Sequence, residues 1–245
     1  MDPYAWSWDP DALALVALLA IGYAATYGRH RPASGRVACF VLGLVLLLAV
    51  LVTPLDTIAL HSLLSIHLLQ NVVLAEWAPA LVVLGVAPSL AARLARLPLA
   101  HTLTRPVVAL PLWLGNYFLW HAPPLYDAAL RHPWSLLHVE HACYFGTGVL
   151  FWWSVFHDRP HAPGAPRRAL YLGLAFVLGS PLGLLLALLP TPVYDFYADA
   201  PRLWGLSRIE DQQLGGIAMA TEQAVVLFAV GAWFLARFLR EQDAE

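Results

Sequence analysis

His67, Gln70 and Asn71 stand at i, i+3 and i+4, and His138 and His141 at i and i+3, with Glu140 between them. On helices, such spacing places each set on one face. Trp120-His121 and the run Asp211-Gln212-Gln213, followed by Met219 and Glu222, are further polar or ligating residues within or beside apolar stretches. An ionisable group inside hydrocarbon costs about 3 kcal/mol or more, so it faces a protein interior and pairs or binds something. Neutral imidazole is the commonest protein metal ligand. His67, His121, His138 and His141 offer three or four nitrogens, a set suited to copper or zinc and less specifically to iron. Met219 adds a soft thioether that favours Cu(I). Asp211 or Glu140 can orient an imidazole through its second ring nitrogen, and Gln70 and Asn71 share the face of His67.

The elements that must position these residues are membrane helices. Of 245 residues, 60% are hydrophobic and 12% charged, and the mean hydropathy is +0.64. A soluble domain carries about 25% charged residues, so lipid covers much of this surface. Spanning a hydrocarbon core of about 30 Å takes roughly 20 residues at about 1.5 Å each. Seven segments qualify, at approximately 13–27, 37–52, 63–87, 106–120, 136–156, 170–189 and 214–238. The expectation is an all-α, polytopic membrane bundle of about seven transmembrane helices, forming one domain over residues 1–245. The first and fourth segments are short and extend into their flanks if they span. Pro79 and Pro181 interrupt the third and sixth, where each removes a backbone hydrogen bond and predicts a kink.

Arginine sets the orientation. All fourteen basic residues are arginine, and eleven fall on one side: Arg29, Arg31, Arg36, Arg93, Arg96, Arg105, Arg159, Arg167, Arg168, Arg237 and Arg240. Arg131, Arg202 and Arg208 fall opposite. The arginine-rich side is cytoplasmic by the positive-inside rule, which puts the N-terminus outside, the C-terminus in the cytoplasm and the four histidines in the outer half. Residues 89–99 read as a short amphipathic piece on the cytoplasmic surface. The connection 190–213, with Tyr194, Tyr197 and Trp204, reads as an interfacial loop across the bundle mouth. Asp2, Asp9 and Asp11 precede the first apolar run, unlike the basic start of a signal peptide, so that run is expected to stay as the first span.

Other residues carry plainer readings. His61 and His132 fit interfacial loops, while His30, His101, His157 and His161 sit beside arginines and read as solvated. Any single membrane histidine also serves as a helix-to-helix hydrogen bonder, and Met219 as packing. Glu76 lies in mid-span three residues before Pro79, where it either bonds freed backbone or lines a polar path. Cys143 is two positions, about 200°, from His141, which argues against a thiolate site. No phosphate loop, nucleophile elbow, HExxH or CxxCH is present, which removes several enzyme classes. Scattered arginines give no nucleic-acid footprint. Three functions stay open on these residues: a copper-binding membrane protein, a haem-binding cytochrome with two axial histidines, and a zinc-dependent intramembrane hydrolase using Glu140 or Asp211 as base.

The order of motifs carries a resemblance. HLLQ at 67–70, APALVVLG at 78–85, WHAPPLYD at 120–127, HVEH at 138–141, Phe151-Trp152 and DQQLGG at 211–216 with Met219 together resemble the seven-span CtaG family of cytochrome c oxidase assembly factors. The resemblance runs from Thr53-Pro54-Leu55-Asp56 to Met219, about two thirds of the chain. It implies a non-enzymatic, multi-pass protein of the bacterial cytoplasmic (inner) membrane. Such a protein supports haem–copper oxidase maturation by handling copper on the outer side, with oxidase subunits or a periplasmic copper chaperone as partners besides lipid. His67, Gln70, His121, His138, His141, Asp211 and Met219 match the family pattern. Asn71 departs from it, standing where the family commonly has a second histidine, and Ala220 stands where a tryptophan is usual.

Overall fold

Proline begins most of the helices. In the computed structural model, which describes residues 2–242, the helices are α1 (Pro10–His30), α2 (Ser34–Leu51), α3 (Pro54–His61), α4 (Leu64–Gly85), α5 (Pro88–Leu94), α6 (Pro98–Leu103), α7 (Pro106–Trp120), α8 (Pro123–Arg131), α9 (His138–Phe156), α10 (Ala165–Leu188) and α11 (Arg208–Gln242). No strand occurs among the described residues. Proline suits a first turn because its missing N–H would be unpaired there anyway, and its φ is already helical. The short helices α3, α6 and α8, all begun this way, were not anticipated. Pro98 also divides the stretch 89–99, read above as one amphipathic piece, between α5 and α6.

Five helices are long and apolar enough to cross a membrane: α1, α2, α4, α10 and α11. The fourth predicted segment coincides with α7, which stays at 15 residues, about 22 Å. Pro106 starts it, and a turn before Pro123 ends it. The fifth corresponds to α9, whose first turn carries His138, Glu140 and His141. Leu18, Ile21, Val107, Leu188 and Phe228 lie on the exterior, each more than 65% exposed. An apolar exterior of this extent belongs to a membrane protein.

Helix α4 is the centre. Its apolar stretch is 72% buried, against 6% for α1 and 28% for α2. Both its ends are held by other helices. At the start, the Asp211 carboxylate of α11 accepts from Leu64 N (2.8 Å) and Ser65 N (2.9 Å). At the finish, Arg36 donates to Leu84 O and Val86 O, Tyr23 Oη to Gly85 O, and His157 Nε2 lies 3.1 Å from Val83 O. Helix C-termini leave carbonyls without partners and carry negative partial charge, so cationic and N–H side chains belong there. His157, expected in solvent, is therefore buried, and burial lowers its pKa to about 4.

Pro79 does not act by a simple kink. The preceding residues, Val73–Trp77, form a π-helical turn in which Ala78 N–H reaches back to Val73 O. Pro79 offers no N–H to the carbonyl four residues earlier, that of Ala75. That carbonyl faces α9 at Gly148, where an added Cβ would collide with Ala75 O and Pro79 Cγ. Helices α10 and α11 approach as closely, since a Cβ on Gly216 would lie 2.6 Å from Gly183 O. Small residues allow such backbone contact between membrane helices. Pro181 lies inside a continuous α10, next to Ser180, whose hydroxyl donates to Phe176 O.

Gly148→Val should therefore force α9 from α4 and destabilise the bundle by about 1–3 kcal/mol or more. The check is the thermal unfolding midpoint in detergent. A midpoint equal to that of the unchanged protein would mean that the two helices do not meet at Gly148.

Candidate metal centre

Three of the four histidines enter one buried region between α4, α7, α8 and α9. His67 is fully buried one turn into α4, and neither of its ring nitrogens has a hydrogen-bond partner. Its ring meets the edge of Tyr126, with centroids 5.3 Å apart, and lies 6.3 Å from the ring of His141. That separation leaves room for an ion with bonds of about 2.0 Å to each ring. His141 Nε2 is likewise buried and unpartnered. His121 caps the end of α7, where its Nδ1 is 2.8 Å from Tyr117 O and 3.1 Å from Tyr144 Oη. A carbonyl only accepts, so Nδ1 carries the proton and Nε2 keeps its lone pair, again with no partner. This is the tautomer a metal ligand needs.

Each free nitrogen has a cost. A buried polar atom without a hydrogen bond costs about 1–3 kcal/mol, and four such ring nitrogens occur on these three histidines. Their donor type fits a soft or borderline ion that accepts neutral nitrogen. Met219, also buried, lines a small space together with His121, Asn71 and Tyr144. A thioether is thereby placed at the His121 side of the region.

His138 does not join them. It sits in the first turn of α9 with Nε2 2.9 Å from Asp9 Oδ2 and Nδ1 3.0 Å from Asp11 Oδ2. The i, i+3 relation to His141 holds, but the two carboxylates at the start of α1 draw this ring outward. The expected meeting of four imidazoles at one point is corrected: His67 and His141 are neighbours, His121 reaches the same region across Tyr126, and His138 sits at the rim. Among the described residues, no three of the four bring ligand atoms within 4.8 Å of one another. Asp211 is corrected as well: its carboxylate is used up on the α4 amides and orients no imidazole.

Glu140 and Asn71 form a polar wall beside His67. Asn71 Nδ2 donates to Glu140 Oε1 (3.1 Å), which lies 3.7 Å from His67 Nε2. Asn71 thus steadies the carboxylate beside His67 and offers no ring nitrogen. Gln70 is a tie, with Nε2 donating to Val50 O and to Asp56 Oδ1.

The connection 190–207 closes the region, although not as an interfacial loop. Tyr194 and Tyr197 are buried, and only Trp204 of the three aromatics is exposed. Tyr194 stacks on Tyr126 with centroids 3.9 Å apart and donates to His121 O, and Tyr197 donates to Ala59 O. Asp127 on α8 accepts from Asp195 N and Phe196 N. Tyr126, Tyr144 and Tyr194 were not singled out as site residues, because a tyrosine in an apolar run looks like ordinary core.

One helical layer deeper, Glu76 and Glu222 bring their carboxyl groups close to one another from α4 and α11. Gln223 Nε2 donates to Glu76, and Trp77 Nε1 to Glu222. Glu76 is therefore bonded to a side chain of α11, Gln223, and not to freed backbone. The level of the two carboxyl groups follows once the junction of the helices is known. Glu76 lies twelve residues beyond Leu64 and Glu222 eleven beyond Asp211, on parallel helices joined at those two residues.

Comparisons with known proteins agree with the motif order. The family model for cytochrome c oxidase caa3 assembly factors (Caa3_CtaG) matches residues 17–241. An uncharacterized protein of Mycobacterium leprae is 26% identical over 92% of this chain. Uncharacterized proteins of Mycobacterium bovis and Mycobacterium tuberculosis are each 27% identical over 93% of it. The chain spans 38% of the length of these curated relatives. No solved structure matches.

Asp56, on α3 outside the long apolar helices, supplies a pH test of the packing around Gln70. Burial pushes its carboxyl up to about 6, against the opposing Gln70 hydrogen bond. The folded protein therefore holds this proton more tightly than the unfolded chain, whose carboxyl titrates near about 3.9. The resulting stability is full below about pH 4 and is lost as pH rises through about 6, an effect on the order of 2 kcal/mol. Asp56→Asn should flatten the thermal midpoint between those pH values. An unchanged slope would refute the assignment.

Proposed function

The chain belongs to the family of cytochrome c oxidase caa3 assembly factors, and we propose that it serves oxidase maturation by holding a cuprous ion among His67, His121 and His141. The observation that carries this reading is the set of buried imidazole nitrogens without partners on His67 and His121, which both face Tyr126, and on His141, whose ring lies 6.3 Å from that of His67. Neutral nitrogen and thioether donors suit Cu(I) better than Mg2+ or Ca2+, which take oxygen. Copper bound there would supply the metal that an oxidase requires. The protein's own residues confine it: Glu140, held by Asn71, faces His67, and the 190–207 connection covers the His121 and Tyr126 side. Met219 would complete the set from α11. The role is custody of an ion, not catalysis.

The proposed orientation places the histidine-bearing end outside and the arginine-rich end in the cytoplasm of a bacterium, with α7 and α9 completing seven spans in the inner membrane. Eleven of fourteen arginines on one side support that orientation. An exterior copper chaperone and the oxidase subunits are the proposed partners, and lipid surrounds the bundle.

Purified protein titrated with Cu(I) under reductant should bind one equivalent. His67→Ala and His141→Ala should each weaken binding by about tenfold or more. In cells dependent on this gene for oxidase activity, the same substitutions should lower that activity. Wild-type protein that retains no copper under these conditions, or that purifies with a haem Soret band, would overturn the reading.

A further inference from the structure

The polar group at the mouth of the bundle has chemistry of its own. Asp9, Asp11 and His138 each offer one ligand atom within 4.8 Å of the other two. Asp9 is fixed in place because its Oδ1 caps α1, accepting from Asp11 N and Ala12 N, while Oδ2 faces His138. Asp11 is on the outside, its side chain 72% exposed, and His138 is 22% exposed. This is an accessible arrangement of two carboxylates and one imidazole, built where α1 meets α9.

A second observation points inward from it. His141, 9% exposed, lines a cavity of about 210 Å3 together with Asp9, Asp11 and His138. Its Nε2 has no hydrogen-bond partner. Asp9, His138 and His141 also line a larger cavity of about 490 Å3 whose rim includes the exposed Trp134. From His141 the next imidazole is His67, 6.3 Å away between ring centroids.

We propose that Asp9, Asp11 and His138 form a separate binding site for a divalent transition-metal cation, Cu2+ or Zn2+, at the mouth of the cavity that leads to His141. Mixed carboxylate and imidazole donors suit these borderline ions, whereas Mg2+ and Ca2+ prefer oxygen alone. His138 Nδ1 gives up its proton to solvent and binds the ion together with the Asp11 carboxylate, while Nε2 keeps its hydrogen bond to Asp9 Oδ2, which holds the ring in orientation at the edge of the site. The donor set differs from that of the buried histidines, so the two sites sort ions by charge and hardness. The outer site does not depend on what the inner histidines hold.

Electron paramagnetic resonance of the full chain in detergent, titrated with Cu2+ without reductant, tests this. The expected signal is one Cu2+ in mixed nitrogen and oxygen coordination with a single imidazole, resistant to excess Mg2+. His138→Gln and Asp11→Asn should each weaken it by about tenfold or more, and His67→Ala should leave it unchanged. Asp11→Asn is the safer variant, since Asp9 is the residue that caps α1. A Cu2+ signal untouched by both substitutions, one lost in His141→Ala but kept in both, or no Cu2+ bound at all would overturn the proposal. Cu(I) titration of the same samples reads the inner histidines separately, so failure of one site is distinguishable from failure of the other.

Discussion

Asp211 closes both of its oxygens on the first two amides of α4, and the level of nearly every functional side chain follows from that contact. A helix start inside a membrane protein cannot leave its N–H groups bare, because no water is there to take them. With the carboxylate supplied by α11, the two parallel helices are locked in register. His67 then falls one turn below the contact, beside Tyr126, and Glu76 falls level with Glu222. A one-residue slip would rotate His67 by about 100° away from α9. The opposite end is fixed by the same logic with reversed charge, since Arg36 and His157 reach the last carbonyls of α4.

Given that register, the buried histidines are polar atoms that the fold leaves unsatisfied. Some interior groups are paired, such as Gln70 Nε2 with Val50 and Asp56, Asp127 with the backbone at 195 and 196, and Gln212 with Val193, Leu186 and Thr191. Others, Trp113 Nε1, Tyr117 Oη, Tyr126 Oη and Gln70 Oε1, are buried without partners, as the imidazoles are. The unpaired nitrogens of His67, His121 and His141 differ from those other atoms in chemistry, because neutral imidazole nitrogen is a metal donor. Lone pairs kept free at such a cost are what a ligand would use.

How far the sequence revealed this depends on where each partner comes from. Spacing along one helix was readable, so His67 with Gln70 and Asn71, and His138 with His141, were placed on shared faces from i, i+3 and i+4 relations, with Glu140 noted between the latter two. The helical, lipid-covered class followed from composition. Partners contributed by another helix were not readable. Asp211 looked like a residue that could orient an imidazole, but its carboxylate binds backbone amides. His138 looked like a companion of His141, but its ring turns toward Asp9 and Asp11, which lie before the apolar pattern begins. Tyr194 and Tyr197 looked interfacial by type, yet the α8 carboxylate Asp127 folds their loop inward. Asn71 in place of a family histidine was visible as a departure; only its bond to Glu140 explains how the position remains useful.

The mouth and the interior are thus built from different kinds of sequence. The interior histidines rest on long helices whose register is fixed from both ends. The mouth rests on a segment held by a few contacts: Ser7 N to Val52 O, Thr57 Oγ1 to Ala5 O, and the Asp9 carboxylate to α1 and His138. Those residues also precede the stretch that matches the family, which begins at residue 17. Changing Asp11 alters the charge that an arriving ion meets without moving α4 or α9, whereas changing Asp9 also removes the cap of α1. The first carboxylate is therefore bound to the fold and the second is free to be tuned. With ions bound as proposed, that division would let the surface ligands be tuned separately from those inside.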